Sequence, residues 1–212
     1  MFVDRQQAGV RLAVALKAYG GRQDVVVLAL PRGGVPVGFE VARALKSPLD
    51  VLVVRKLGLK GHEELAMGAV GPDGVRILNE EVVRWAAKGD LEEVTSKEVR
   101  ELERRTRTYR QGRPGLAVAG KTLILVDDGL ATGSSMKVAV AVVRVLDPAW
   151  VVVAVPVAPM TTATALREVA DEVVVVLEVA SLGAVGMWYG DFEQTTDQEA
   201  RALLVAAAQP EA

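Results

Sequence analysis

The sequence predicts an α/β fold: an open, mainly parallel five-stranded sheet flanked by helices, with an inserted hairpin and helical arm and a small hood at the C-terminal end. Three observations carry this. Short Val-rich runs recur at residues 25–30, 51–54, 122–126, 150–155 and 173–177. Several of them are apolar without alternation, the pattern of strands buried on both faces, and a parallel sheet covered by helices is the usual way to bury both. Helical periodicity fills most of the intervals between the runs, and strand–helix alternation is the chain order of such a sheet.

Taken in order, residues 4–19 read as a helix carrying Val10, Leu12, Leu16 and Tyr19 and stopped by Gly20-Gly21. Helices over 35–45, 134–146 and 161–169 follow the first, third and fourth Val-rich runs. The interval 57–120 is different. It opens on a Gly-rich stretch, 58–74, read as a flexible loop running into a hairpin of Leu65–Val70, the turn Gly71-Pro72-Asp73-Gly74 and Val75–Leu78. A charged helical stretch spans 80–110, with Asn79 as its N-cap and Gly89 as a stop. Beyond Leu91 its apolar stripe is thin, Leu91, Val94, Leu102 and Tyr109, which predicts a partly solvated arm suited to a protein partner or dimer contact. The organisation expected is therefore one domain over 1–212, an insertion at 57–120 and a C-terminal hood and tail at 181–212.

Composition narrows the chemistry. With no cysteine, thiol catalysis, disulfides and Cys-ligated metals are excluded, and a single histidine, His62, excludes a zinc site built from several histidines. A net charge of −2 gives no reason to expect nucleic acid as a partner. No apolar run approaches the roughly 20 residues that cross a bilayer, and Met1-Phe2-Val3-Asp4-Arg5 lacks the basic-then-apolar order of a signal peptide, so no membrane partner and a cytoplasmic location are expected. With three each of Phe, Trp and Tyr, the core must be built mostly from Val, Leu and Ala.

The strongest motif is Leu123-Ile-Leu-Val-Asp127-Asp128-Gly129-Leu-Ala131-Thr132-Gly133-Ser134-Ser135, between a strand and a helix. In such sheets, ligands bind beyond the carboxyl ends of the strands. Two adjacent carboxylates there are costly unless a cation or hydroxyl donors lie between them. The Gly/Thr/Ser loop that follows opens a helix whose free amides attract phosphate. A ribose 5-phosphate offers hydroxyls and a phosphate at that separation. A second element, Leu30-Pro31-Arg32-Gly33-Gly34-Val35, also joins a strand to a helix; its glycines let backbone amides approach an anion and Arg32 adds a fixed charge. As a dinucleotide fingerprint it fails, because Val35 stands where the second glycine belongs and Arg55-Lys56 where a carboxylate would meet a ribose. A nucleotide-cofactor oxidoreductase is thus the least favoured reading.

These residues resemble the type I phosphoribosyltransferase family, most sharply over 123–135. The resemblance implies that Asp127 and Asp128 hold the ribose hydroxyls of phosphoribosyl pyrophosphate (PRPP) and that Ala131, Thr132, Gly133, Ser134 and Ser135 bind its 5-phosphate. Arg32, Gly33 and Gly34 would form the pyrophosphate loop, with a cis peptide between Pro31 and Arg32, and Arg55 and Lys56 would converge on the same leaving group. Mg2+ is implied, held mostly through substrate oxygens and water with help from Asp127 or Asp128. A mobile loop is implied as well, for which Leu57–Ala66 is the candidate, hinged at Gly58 and Gly61 and presenting His62 as a proton donor or acceptor. The acceptor base would stack on Trp188, Tyr189 and Phe192 in the hood, although an aromatic patch closing the sheet edge or a dimer contact explains those rings equally well. Ala131 stands where 6-oxopurine members usually carry an aspartate, and Val155-Pro-Val-Ala-Pro159 where they carry a lysine, which argues against hypoxanthine and guanine. Pyrophosphate-releasing transfer to a base and nucleotide salvage, by a homodimer, is the expected activity; a regulator that senses PRPP without catalysis is the alternative.

Overall fold

The computed structural model describes residues 1–208; the last four residues of the expected tail, 209–212, lie outside the described residues. In chain order the regular elements are α1 (Arg5–Ala15), β1 (Val25–Ala29), α2 (Gly34–Leu45), β2 (Leu49–Val51), β3 (Arg55–Leu59), β4 (His62–Val70), β5 (Arg76–Leu78), α3 (Glu80–Val83), α4 (Asp90–Arg110), β6 (Thr122–Val126), α5 (Ser134–Arg144), β7 (Trp150–Pro159), α6 (Met160–Arg167), β8 (Glu172–Val179) and α7 (Asp197–Ala207). Five strands form one parallel sheet in the order β2-β1-β6-β7-β8, and β3-β4-β5 form a separate antiparallel sheet.

The Val-rich runs make the centre of the large sheet because both of their faces are buried. Val25, Val27, Ala29, Ile124, Val126, Val152 and Ala154 face one hydrophobic cluster, shared with α1, α2 and α7. The alternate residues Val26, Leu28, Leu123, Leu125, Val151, Val153 and Val155 face a second, shared with α5 and α6. In β1, β6 and all but the first residue of β7, every residue up to Ala158 is buried.

Several boundaries differ from expectation for identifiable reasons. The second run was expected at 51–54, but the paired strand is Leu49–Val51, and Leu52 to Val54 carry the chain across to the small sheet. Strand β7 continues to Pro159; β6 pairs with it only as far as Ala154, so Pro156, which has no N–H to donate, falls where β8 is the single neighbour. Gly89 does not stop a helix but begins one, as the left-handed cap of α4. Val10 lies on the solvent side of α1, whose buried residues are Ala8, Gly9, Leu12 and Ala13.

Residues 57–66, expected as a Gly-hinged loop, are instead an antiparallel hairpin in which Leu59 pairs with His62 across a Lys60-Gly61 turn. The reason is period-2 alternation: Leu57 and Leu59 are buried beneath the insertion while their neighbours face outward. Gly61, at φ +80°, supplies the backbone that the tight turn needs. The β4–β5 hairpin stands where the sequence suggested, with its short turn at Pro72–Gly74.

The long helix α4 is fastened across the sheet by ionic and polar contacts rather than by a broad apolar face. Arg110 bonds the buried Asp50 of β2 at 2.9 Å, Arg55 of β3 bonds Glu98 at 2.6 Å, and Tyr109 donates to Asp197 of α7 at 2.9 Å. Leu102 and Tyr109 are its buried apolar anchors. No helix among the described residues is long and apolar enough to cross a membrane.

Helices α1 and α2 meet at Gly9, where a Cβ would fall 2.8 Å from both the Val37 carbonyl oxygen and the Glu40 Cβ. Overpacking of this kind costs about 1–3 kcal/mol, which outweighs the roughly 1 kcal/mol by which Ala exceeds Gly as a helix former. Gly9→Ala should therefore lose about 1 kcal/mol in urea unfolding, while Val10→Ala on the exposed face of α1 stays within about 0.5 kcal/mol of the parent.

Candidate active site

Strands β1 and β6 lie side by side in register, Ala29 opposite Val126, so the loops that follow them leave the sheet together. The β6 loop carries Asp127 and Asp128; the β1 loop carries Pro31 to Gly33, and the Pro31–Arg32 peptide is cis. The two loops dovetail. A Cβ on Gly33 would lie 2.1 Å from Asp128 Oδ2, and one on Gly34 2.7 Å from the Val126 carbonyl oxygen. Glycine is thus required at both positions by the approach of the neighbouring loop itself.

The two carboxylates are tightly engaged. Asp127 Oδ1 accepts from the Asp128 backbone N–H at 2.9 Å, and Asp128 Oδ2 accepts from Arg5 Nε at 2.8 Å. Burial, followed by the negative charge of Asp128, pushes the Asp127 carboxyl well above the ordinary carboxylate range. Asp128 is also raised by burial, with Arg5 pulling in the opposite direction. The Tyr189 hydroxyl donates to the Asp128 carbonyl oxygen at 2.5 Å, and the Leu130 N–H bonds the Val157 carbonyl at 3.0 Å, which fixes the start of the loop against β7 and the hood.

Ala131, Thr132, Ser134 and Ser135 are exposed around Gly133, which adopts φ +72° and begins α5. Thr162 of α6 donates to the Ala131 carbonyl at 2.7 Å, and the Thr132 and Ser134 hydroxyls lie 3.0 Å apart. The result is a braced small-residue loop whose hydroxyls and helix-initiating amides face outward, the arrangement that receives a phosphate.

Two cavities flank this centre. The smaller, about 300 Å³, brings together Asp127, Ser134, Ser135, Arg55 and Lys56 with Pro31. The larger, about 730 Å³, is lined by Asp128, Arg5, Arg32, Gly33, Val185 and Phe192, with Arg104, Arg105, Thr108 and Tyr109 of α4 and Gln194, Thr195 and Asp197 of the C-terminal segment. Arg55 and Lys56 therefore do not share a cavity with Arg32, and they open β3 rather than end the preceding strand. Arg55 is bound to Glu98, Lys56 lies 3.8 Å from Glu64, and Arg32 has a long 3.9 Å contact with Asp197. His62 is exposed at the hairpin and lines neither cavity.

Of the three hood rings, Phe192 alone lines the larger cavity. Tyr189 is buried between Phe2 and Phe192, with centroids at 5.3 and 4.9 Å, and Trp188 donates its indole N–H to the Leu182 carbonyl. The Phe192 ring is itself covered by the Arg5 guanidinium, 3.8 Å from its centroid.

Sequence reasoning missed Arg5, the α4 wall and Asp197. Two signals were available. An arginine in the first turn of a helix opposes the macrodipole, so Arg5 needs a partner elsewhere. Positions 101, 104, 105 and 108 form a polar stripe at helical spacing, beside the buried Leu102 and Tyr109 side.

Residues 5–180 match the family model of the phosphoribosyl transferase domain. Two Mycobacterium tuberculosis proteins, from strains CDC 1551 and H37Rv and named only provisionally as phosphoribosyl transferases, are each 47% identical to this chain over 206 residues. The match takes in 96% of this chain and 46% of theirs, so the chain spans about half the length of these curated relatives. The crystal structure of TT1426 from Thermus thermophilus superposes with a TM-score of 0.89 at 44% identity, over 99% of this chain and 100% of that one.

The buried carboxylate pair makes a stability prediction. A carboxyl whose folded pKa is raised above its unfolded value of about 3.9 weakens folding when ionised, and the penalty vanishes once pH falls below that unfolded value. Asp127→Asn keeps the Oδ1 acceptor and removes the charge. In the absence of substrate it should melt above the parent at pH 7–8, by about 2–4 °C for each kcal/mol relieved, with the gap closing toward pH 4. A lower melting point at neutral pH would contradict the cost assigned to this charge.

Proposed function

The chain belongs to the phosphoribosyl transferase domain family, and from that premise we propose that it transfers the 5-phosphoribosyl group of PRPP to a nitrogenous acceptor and releases pyrophosphate. The observation that carries the reading is the juxtaposition of Asp127 and Asp128 with the braced loop Ala131–Ser135, across from Pro31–Gly33. Asp127 and Asp128 accept hydrogen bonds from the ribose 2- and 3-hydroxyls, which replace bulk water around two carboxylates that burial disfavours. Ala131 to Ser135 receive the 5-phosphate with hydroxyls and the amides that open α5. The Gly33–Gly34 turn and Arg32 serve the pyrophosphate from one side, and Arg55 and Lys56 serve the phosphate-facing cavity from the other.

In the transfer, a C–N bond forms at the anomeric carbon as its C–O bond to pyrophosphate breaks. The electron pair leaves with pyrophosphate, and the acceptor's proton passes to water. Negative charge grows on the leaving group, so fixed cations aimed at it lower the barrier.

The donor set suits Mg2+. It consists of hard oxygens, the Asp127 carboxylate beside the Ser134 and Ser135 hydroxyls in the smaller cavity and the Asp128 carboxylate in the larger, with no thiol. Among the described residues no group of three or more acidic or histidine side chains could hold an ion by itself. An ion borne mainly by substrate oxygens fits that donor set, with Asp127 or Asp128 as its protein contact and charge neutralisation of pyrophosphate as its contribution. Cytoplasmic salvage by a homodimer belongs to the same proposal.

PRPP with Mg2+ should raise the melting temperature, since a ligand at a hundredfold excess over Kd stabilises by about 2.7 kcal/mol, and Asp128→Asn should shrink that shift. No shift at millimolar PRPP removes the reading. With an acceptor found by assaying purine, pyrimidine and pyridine bases for pyrophosphate, Arg32→Ala should lower kcat by about 10²–10³. His62→Ala should stay within about twofold, because a proton carrier contributes only within hydrogen-bond reach of the reacting group. A larger loss at His62 would move the chemistry to the β3–β4 hairpin. A stabilising shift without turnover on any acceptor would leave a PRPP sensor.

A further inference from the structure

Resting on the transferase reading above, we propose that the acceptor carries a ring carboxylate, which Arg5, Arg104 and Arg105 recognise in the larger cavity.

The first support is the surface that the hood offers to a flat heterocycle. Arg5 lies over the Phe192 ring at 3.8 Å, and Gly186 packs so close that a Cβ there would lie 2.8 Å from its Cδ1. An acceptor entering between the hood and α4 is offered the guanidinium plane of Arg5 on the cavity wall. Guanidinium planes stack on heterocycles and offer N–H donors at their edges.

The second support is the set of donors left over. Arg5 donates from Nε to Asp128 and from Nη1 to the Glu193 carbonyl. Arg104 donates from Nε and Nη2, and Arg105 from Nε, to the single carboxylate of Glu101. Among the described residues, Arg5 Nη2, Arg104 Nη1 and both terminal nitrogens of Arg105 have no protein acceptor. Each acidic group on the cavity wall has one oxygen engaged, Asp128 Oδ2 by Arg5 and Asp197 Oδ1 by Tyr109, with Arg32 3.9 Å away. Four arginines, Arg5, Arg32, Arg104 and Arg105, against two aspartates, Asp128 and Asp197, give the wall a positive balance, which is complementarity to an anion.

The third support separates this anion from the 5-phosphate of PRPP. Arg5 and Arg104 line the larger cavity and not the smaller, Ser134 and Ser135 the smaller and not the larger, and Arg105 reaches both; Arg32 and Gly33, assigned to pyrophosphate, line the larger cavity as well. A carboxylate rather than a phosphate is indicated because the free donors are arginine forks, which match a planar carboxylate in pairs. The glycine loop that lines the cavity with Arg104 and Arg105, Pro31 to Gly33, is already assigned to pyrophosphate. Of the helices that start at this wall, α1 has its first turn capped by Asp4, α2 opens in the loop assigned to pyrophosphate, and α7 is closed by a capping box between Thr196 and Glu199.

The test is pyrophosphate release from PRPP and Mg2+ with matched acceptors: orotate against uracil, nicotinate against nicotinamide, and 5-aminoimidazole-4-carboxylate against its carboxamide. In at least one pair the carboxylate should be the better acceptor by about tenfold or more in kcat/KM, the span of one hydrogen bond to a charged group. Arg104→Gln should raise KM for that carboxylate about tenfold and leave KM for PRPP within twofold. Arg104 is well exposed, with 60% of its side-chain surface open, so the variant should fold. Neutral members matching or beating their carboxylates in every pair would overturn the proposal while leaving the transferase intact. An equal rise in KM for both members of a pair in Arg104→Gln would overturn it too. If no acceptor turns over although PRPP still stabilises the protein, titration calorimetry of the same acceptors on the PRPP–Mg2+ complex decides: preferential binding of a carboxylate, lost in Arg104→Gln, supports it, and no preference overturns it. Loss of the PRPP-induced melting shift itself would instead bring down the transferase reading, and this proposal with it.

Discussion

The arrangement depends on two adjacent carboxylates held at the end of a buried strand. Asp127 and Asp128 follow β6, whose residues are all buried, and the β1 loop closes on them through Gly33 and Gly34 with no room for a side chain. Burying a charge is tolerated when it is paired or hydrogen-bonded, and here one guanidinium pairs with only one of two adjacent acids. Asp128 has Arg5, while Asp127 has a backbone N–H and a raised pKa. The centre is preorganised with some loss of stability, as is usual where groups are held ready for a ligand.

Charge pairing also governs the insertion. Helix α4 has a thin apolar stripe, and its position over the site follows from pairs made at both ends and in the middle: Lys60 with Glu93, Arg55 with Glu98, Arg110 with Asp50. The Asp50 pair is the most enclosed, and Asp50 also accepts the Val51 and Leu116 N–H groups, so its lone pairs are occupied. Because these contacts bind α4 to β2 and β3, the arginines at 104 and 105 are carried to the cavity by the same helix turns that bury Leu102 and Tyr109.

How much of this was legible follows from which signals are local. The central strands could be read because double-sided burial writes itself as uninterrupted Val and Leu, and the motif 123–135 because a strand end, two acids and a small-residue loop are contiguous. Leu57–Leu59 was missed because only two apolar residues mark the strand and the glycines around them read as flexibility. Pro156 ended the fourth strand too early in the reading, since only the pairing scheme reveals that one neighbour has already stopped. Helix α7 was legible and overlooked: Thr196-Asp-Gln-Glu199 before Ala200 to Leu204 is a capping box ahead of an apolar face. The cavity wall was not legible, because Arg5, Arg104 and Asp197 come from three separate helices and meet only through tertiary packing.

Arg5 joins the two halves of the proposed chemistry. Its Nε lies on the carboxylate assigned to ribose, its Nη1 on the hood backbone, and its plane on Phe192 facing the acceptor side. A ribose hydroxyl donating to Asp128 weakens the hold of that carboxylate on the guanidinium, since both compete for the same lone pairs. The charge so released lies where the acceptor enters, and a guanidinium cannot shed its proton to relieve it. In the proposed transfer, filling the ribose site therefore leaves the Arg5 guanidinium less committed to Asp128 and more available to the acceptor. That sequence of events needs no movement of the backbone, only the sharing of one arginine between two acids, one belonging to the protein and the other to the acceptor.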